Sequence, residues 1–412
     1  MKVLSVVFFV VNVTTVFPQT GWIQQTSGTT ENLNAVSCVN TNVATVVGDN
    51  GTILRTTNGG TSWIPQTSGT SNSLRGVSFI NADHGIAVGD GGSILRTTNG
   101  GINWEIAASN TTNILDDVIF IDQTTFAAVG WSGTIIRSSD GGVTWFSQNS
   151  NTSQGLVGVH FSDVSTGTAV GWNGTIVRTT NGGVSWFSQT NPLSGTYLDL
   201  WGVFFMTSDV GIATGENGTI LHTTDGGNFW TEIGGGTTDR LWSVSFGDTL
   251  TGIIAGDSSG SGKLLKTTDG GFNWAIQSND TTPSLLGIGM SGPNTAFAVG
   301  QSGTILHTTT GGTVWVKEDQ KTGVPDRLVL FQNYPNPFNP STAIRFMLPV
   351  TSFVTLKIYN ILGEELTLLV SEKLTAGQYE YEWDARDAAN GLYLYRIQVG
   401  EFVDVKKMVF MK

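Results

Sequence analysis

The chain has 412 residues, more than one compact domain commonly uses, so two folded units are expected. Only 13% of residues are charged while Gly reaches 54 and Trp 13, a balance that disfavours long amphipathic helices; apolar residues are spread evenly, which excludes a disordered chain. Lys and Arg total 20 against 32 acids, and the net charge of -12 repels nucleic-acid phosphates and anionic lipid surfaces.

The N-terminus, MKVLSVVFFVVNVTTVFPQTGW, places one Lys before an apolar run from Val3 to Val10, the outline of a secretory signal peptide over residues 1–19. No later segment offers about 20 apolar residues for a transmembrane helix. The single cysteine, Cys38, rules out an intrachain disulfide framework. It aligns with Phe79, Phe120 and Phe161 of later repeats, so it is expected to be an apolar filler.

Residues 20–317 are built on one phrase. RTTNGGTSW at Arg55 returns as RTTNGGINW, RSSDGGVTW, RTTNGGVSW, HTTDGGNFW, KTTDGGFNW and HTTTGGTVW. The copies, counted from Asn58, Asn99, Asp140, Asn181, Asp225, Asp269 and Thr310, are spaced 41, 41, 41, 44, 44 and 41 residues apart. A period near forty with several short strands is that of propeller blades. Each unit holds four short apolar runs, as in LRGVSF, GIAVG, SILRTT and the segment from Trp104, and the second and third runs are joined by tips such as DNG and DGG that suit tight hairpins. An all-β fold follows, a seven-bladed β-propeller. The Trp run occurs once more than the others, at Trp22 and again at Trp315, so a spare outer strand is available to close the ring.

The phrase resembles the Asp-box (BNR repeat), a hairpin between the third and fourth strands of many propeller blades. Asn58, Asn99, Asp140, Asn181, Asp225 and Asp269 are then structural acceptors for backbone N–H groups, and the Trp plugs into the blade. The basic residues that open the phrase are expected to bond backbone or neighbouring blades rather than an anion. From about Trp22 to Val316 the units also resemble those of the photosystem II assembly factor family, through their GxAVG, G-T-I-L-[RH]-[ST]-T-[DN]-G-G and Trp patterns. That family acts as non-enzymatic assembly chaperones; fold likeness alone does not bring the role here.

A polar linker over residues 318–327 leads to short alternating strands over 328–412, expected to form a small Ig-like β-sandwich. This tail resembles the type A C-terminal sorting domain of the type IX secretion system of Bacteroidetes and relatives. The matching residues are Pro335, Asn336, Pro337, Phe338, Asn339 and Pro340, then Trp383 with Asp384, Gly391, Tyr393 and Lys407. The resemblance implies export to the periplasm, passage through the type IX machinery, trimming by a surface sortase, and a secreted or cell-surface product.

Several motif matches carry no chemistry. Gly256-Asp257-Ser258-Ser259-Gly260 has the G-x-S-x-G spacing, and Gly260 to Lys263 echoes a phosphate loop, but both read as a hairpin tip. A sialidase needs a tyrosine nucleophile and an arginine triad; between Trp22 and Val316 the only tyrosine is Tyr197, and four of the six arginines belong to the repeated phrase. Function is better sought where repeats disagree. The residue heading the second hairpin runs Asp49, Asp90, Trp131, Trp172, Glu216, Asp257, Gln301, and the one entering the first strand runs Asn34, Arg75, Asp116, Val157, Trp201, Trp242, Leu286. Both positions belong at the end of the blade opposite the Asp-boxes. Trp131, Trp172, Trp201 and Trp242, with Asp90, Asp116, Glu216 and Arg75, are therefore the candidate ligand-binding residues, for a carbohydrate or a protein segment. No catalytic residue, metal site or cofactor is assigned. The expectation is a non-enzymatic binding propeller; the alternatives are a glycoside hydrolase using acids of this face, with Asp257 added, or a structural, adhesive surface protein.

Overall fold

Each repeat folds as four short antiparallel strands because its turn residues leave little choice. In the first repeat, strands Leu33–Cys38, Ala44–Gly48, Ile53–Thr56 and Ile64–Pro65 pair in sequence order. Between the second and third strands, Asn50 and Gly51 both take positive φ, 52° and 66°, and the Thr52 N–H donates to the Asp49 carbonyl at 3.0 Å. This is the primed turn whose twist matches its flanking strands. The sixth repeat differs: its three extra residues prolong both strands to Ser258 and Ser261, with Ser259 and Gly260 at the tip. The G-x-S-x-G and phosphate-loop echoes thus lie in a plain hairpin, as expected.

The computed structural model describes residues 21–193, 196–277, 283–312, 328–331, 333, 336, 338–386, 388–400 and 402–410. The expected signal peptide, the linker 318–327 and Trp315 lie outside them. The chain divides into two compact units, Met1–Trp315 and Val316–Lys412.

In the first unit, second strands such as Gly85–Gly89 are buried throughout, because apolar side chains on both faces meet neighbouring blades. The turn of the repeated phrase is held by its own side chains. Thr56 Oγ1 accepts the Gly60 N–H at 2.9 Å and Asn58 Oδ1 accepts the Ser62 N–H at 3.0 Å; the same acceptor role recurs at Asn99, Asp140, Asn181, Asp225 and Asp269. Trp63, Trp145, Trp186 and Trp230 are buried beneath these turns. The basic residues opening the phrase reach to the next blade: Arg55 donates to the Ala82 carbonyl, Arg96 to Gly141, Arg178 to Ser208 and Lys266 to Gly311.

Seven four-stranded sheets result, and the seventh is completed from the other end of the chain. Strand Gly21–Gln25 pairs with Ile305–Gly312, beside Ala296–Gly300 and Leu285–Met290. The strand bearing Trp22 therefore closes the ring. The Trp22 indole donates to Gln277 of the sixth blade at 3.1 Å, so closure joins two blades as well as two chain ends.

The second unit packs a three-stranded sheet (Val329–Leu330, Ser341–Leu348, Gly377–Asp384) and a four-stranded one (Glu365–Leu374, Ser352–Asn360, Gly391–Val399, Phe402–Phe410) around one apolar core. The tail motif builds that core. Phe338 stacks near Trp383 and Phe410, and Trp383 meets Tyr393 edge-on. Asn336 accepts the Val409 N–H at 2.7 Å, Pro340 accepts from Ala385, and Asp384 holds Arg386. Gly391 opens the strand that carries Tyr393; Asn339 and Lys407 are exposed. Pro335 and Pro337 lie outside the described residues.

Candidate functional site

The first strand of every blade contains the same irregularity. The ladder slips by one residue between Leu33 and Ala35, Leu74 and Gly76, Leu115 and Asp117, Leu156 and Gly158, Leu200 and Gly202, Leu241 and Ser243, and Leu285 and Gly287. A β-bulge leaves one residue unpaired and re-aims it. The unpaired residues are Asn34, Arg75, Asp116, Val157, Trp201, Trp242 and Leu286, the variable position of the sequence. They line a cavity of about 680 Å³ along the ring axis, together with Asp49, Trp131 and Trp172.

The mouth of this cavity is divided. Blades three to six supply aromatic surface: Trp131 and Trp172 meet with ring centres 5.2 Å apart at 61°, and Trp201 and Trp242 at 4.8 Å and 46°. The Trp242 indole donates to Asp257 Oδ1 at 2.5 Å, whereas the Trp201 indole N–H, buried in the wall, has no acceptor. Blades one to three supply charge. Arg75 bonds Asp90 at 2.5 Å and Asp116 at 3.3 Å, and Asp49 accepts Asn32 and Asn34 at 3.0 Å.

Burial pushes the Asp116 carboxyl up to about 6; Asp90 adds to the rise, and Arg75 and the Trp131 indole act against it. Its side chain is only 8% exposed, and Oδ2 accepts no hydrogen bond. Deeper in the channel, burial pushes Asp117 up to about 7 although it accepts the N–H groups of Val118 and Val159. His160 accepts the Phe205 N–H at 3.2 Å, and burial pulls its imidazole down to about 4, so it is neutral at pH 7. Cys38 is half-buried on the same wall, its thiol pushed up to about 12 by burial, which makes it unreactive.

Of the candidates read from sequence, Arg75, Asp116 and the four tryptophans line one cavity. Asp90 stands behind Arg75, and Glu216 is not among the lining residues. Sequence reasoning missed Asp117 and His160. Asp117 had a signal: the other repeats place Ala35, Gly76, Gly158, Gly202, Ser243 and Gly287 there, so a carboxylate breaks the pattern. Among the described residues no group of three or more His, Cys, Asp or Glu could hold a metal ion, and no helix is long and apolar enough to cross a membrane.

Seven blades around a lined axis, sealed by the N-terminal strand, define a seven-bladed β-propeller, here followed by a β-sandwich. Residues 15–111 and 145–238 match the family described as photosynthesis system II assembly factor YCF48, and residues 332–411 match the secretion system C-terminal sorting domain. Both resemblances read in the sequence are thereby borne out. No curated protein matches the chain. Among solved structures, "YCF48 bound to D1 peptide" superposes with a TM-score of 0.60 at 20% identity, covering 71% of this chain and 96% of that one. YCF48 from Cyanidioschyzon merolae gives 0.58 at 20% identity, covering 70% and 98%. The WD40 propeller domain of Doa1 gives 0.56 at 12% identity, covering 70% and 97%. These likenesses are of fold. The sorting domain implies secretion to the cell surface or beyond.

Proposed function

We propose that this protein is a non-enzymatic binding propeller, carried through the periplasm and outward by its sorting domain, that takes its ligand at the tryptophan-lined mouth. The observation that carries this reading is the convergence of Trp131, Trp172, Trp201 and Trp242 on one cavity beside a charged half-ring. Buried-edge indoles offer large contact area with little entropy to lose, as binding surfaces require. A propeller of this fold solved with a peptide supports a protein segment as ligand; a glycan is the other chemistry indoles suit. The carboxylates favour binding over hydrolysis, because Arg75 clasps Asp90 and Asp116 together and Trp242 engages Asp257.

A glycoside hydrolase at the same mouth is the second reading, favoured by the raised pKa of Asp116, which would suit a general acid. Peptide and glycan arrays probed with the full chain and with a variant changing all four tryptophans to Ala test both. Saturable binding lost in the variant supports the mouth; cleavage of a bound glycan would favour the hydrolase; no binding would leave a structural, adhesive role.

A further inference from the structure

We infer that the mouth receives a cationic side chain, the guanidinium or ammonium of an Arg or Lys in a partner protein segment, seated against Trp131 and Trp172 with Asp116 as its counter-charge. This rests on the mouth being a binding site and adds the chemistry of its ligand.

The first argument is geometric. Trp131 and Trp172 meet edge to face, with ring centres 5.2 Å apart at 61°, so they share no flat platform, and it is Trp131 that stays exposed. A sugar ring lies best along an extended flat surface, whereas one exposed indole face suffices for a compact charged group, which the ring quadrupole attracts. The second argument comes from the rest of the propeller. Arg55 lies 5.0 Å from the Phe79 ring centre, Arg178 4.9 Å from Phe205, and Arg240 5.9 Å from Trp242. The Trp131–Trp172 pair has no such cation among the described residues, yet Trp131 is 39% exposed.

The third argument is the acceptor beside it. Asp116 shares Arg75 with Asp90, and its Oδ2 is buried without a donor. A buried carboxylate oxygen left unpaired is costly, and an incoming N–H would satisfy it. Acids also outnumber bases around the rim: Asp49, Asp90, Asp116 and Asp257 against Arg75 and Arg240.

The test is calorimetry on the full chain with a short Arg-Gly peptide, its Glu-Gly counterpart, and soluble cello-, chito- and xylo-oligosaccharides. The Arg-Gly peptide is expected to bind saturably at one site and to weaken with salt. Affinity is expected to fall about tenfold in Trp131→Ala and in Asp116→Asn, and less in Trp131→Phe. Because Trp131 is exposed and Asn keeps the shape of Asp, unchanged thermal unfolding of each variant accompanies the comparison. Arg-Gly binding that is absent, equal in all variants, or matched by the Glu-Gly peptide overturns the inference. An oligosaccharide that binds instead, and is lost in Trp131→Ala, overturns it while leaving the mouth as the binding site. No binding by any probe sinks both.

Discussion

At the scale of single residues, much of the propeller rests on phenylalanine rings laid over glycines. Phe79 lies directly across the ladder from Gly85, and a Cβ on Gly85 would stand 2.4 Å from the ring. The same pairing recurs at Phe161 with Gly167, Phe205 with Gly211 and Phe246 with Gly252. Gly85→Ala is therefore expected to destabilise the propeller by about 2–3 kcal/mol through overpacking, read as a lower urea midpoint. Asp117 gives a second prediction. Its folded carboxyl, raised to about 7, binds a proton that the unfolded chain has released near pH 4, so its contribution favours folding at low pH and is lost as pH rises through 7. The decline between pH 5 and pH 8 amounts to roughly 2–3 kcal/mol. Comparing urea midpoints of the wild type and Asp117→Asn across that range isolates it, and the variant should show the shallower decline.

At the scale of elements, the ring is held shut by five residues. Strand Gly21–Gln25 supplies the outer strand of the seventh blade and buries Trp22 in its core. Trp22→Ala is expected to cost about 3–5 kcal/mol and to lower the unfolding temperature of the propeller more than loss of an exposed aromatic such as Phe229. The element level also divides what could be read in advance from what could not. Blade number, turn chemistry and the buried face of each strand follow from local patterns, so SILRTTNGG and its copies announce them. The spare Trp run announced a closing strand but could not say whether Trp22 or Trp315 supplied it, since both carry the same local pattern. The bulges were hidden as well: Asn34, Arg75 and Trp201 were visible as the residues at which repeats disagree, but a slipped ladder is a property of two strands. The clasp of Arg75 on Asp90 and Asp116 joins side chains 15 and 41 residues away; the second separation is one repeat, so the sequence marks Arg75 and Asp116 as equivalent positions of adjacent blades but not as an ion pair.

At the scale of the whole molecule, the proposed binding mouth and the sorting domain belong to different units, each with its own core. Trp383 sits in the core of the sandwich, 5% exposed, beside Phe338 and Tyr393. Trp383→Ala is therefore expected to unfold the sandwich and stop secretion while leaving the thermal transition of the propeller unchanged. Fractionating cells that express the variant, alongside calorimetry of the purified chain, checks both halves; a shift of the propeller transition would show that the units stabilise each other.

The completed seventh blade also decides how the molecule bears tension. Strand Ile305–Gly312 is, among the described residues, the last propeller strand before the tail, and it has Gly21–Gln25 on one side and Ala296–Gly300 on the other. A chain hauled by its C-terminus is thus gripped along two ladders at once, where an open ring would have left the tow-line tied to a peelable edge. Any machine that drags the cargo by its tail pulls against a strand held on both sides, and the same five N-terminal residues make it so.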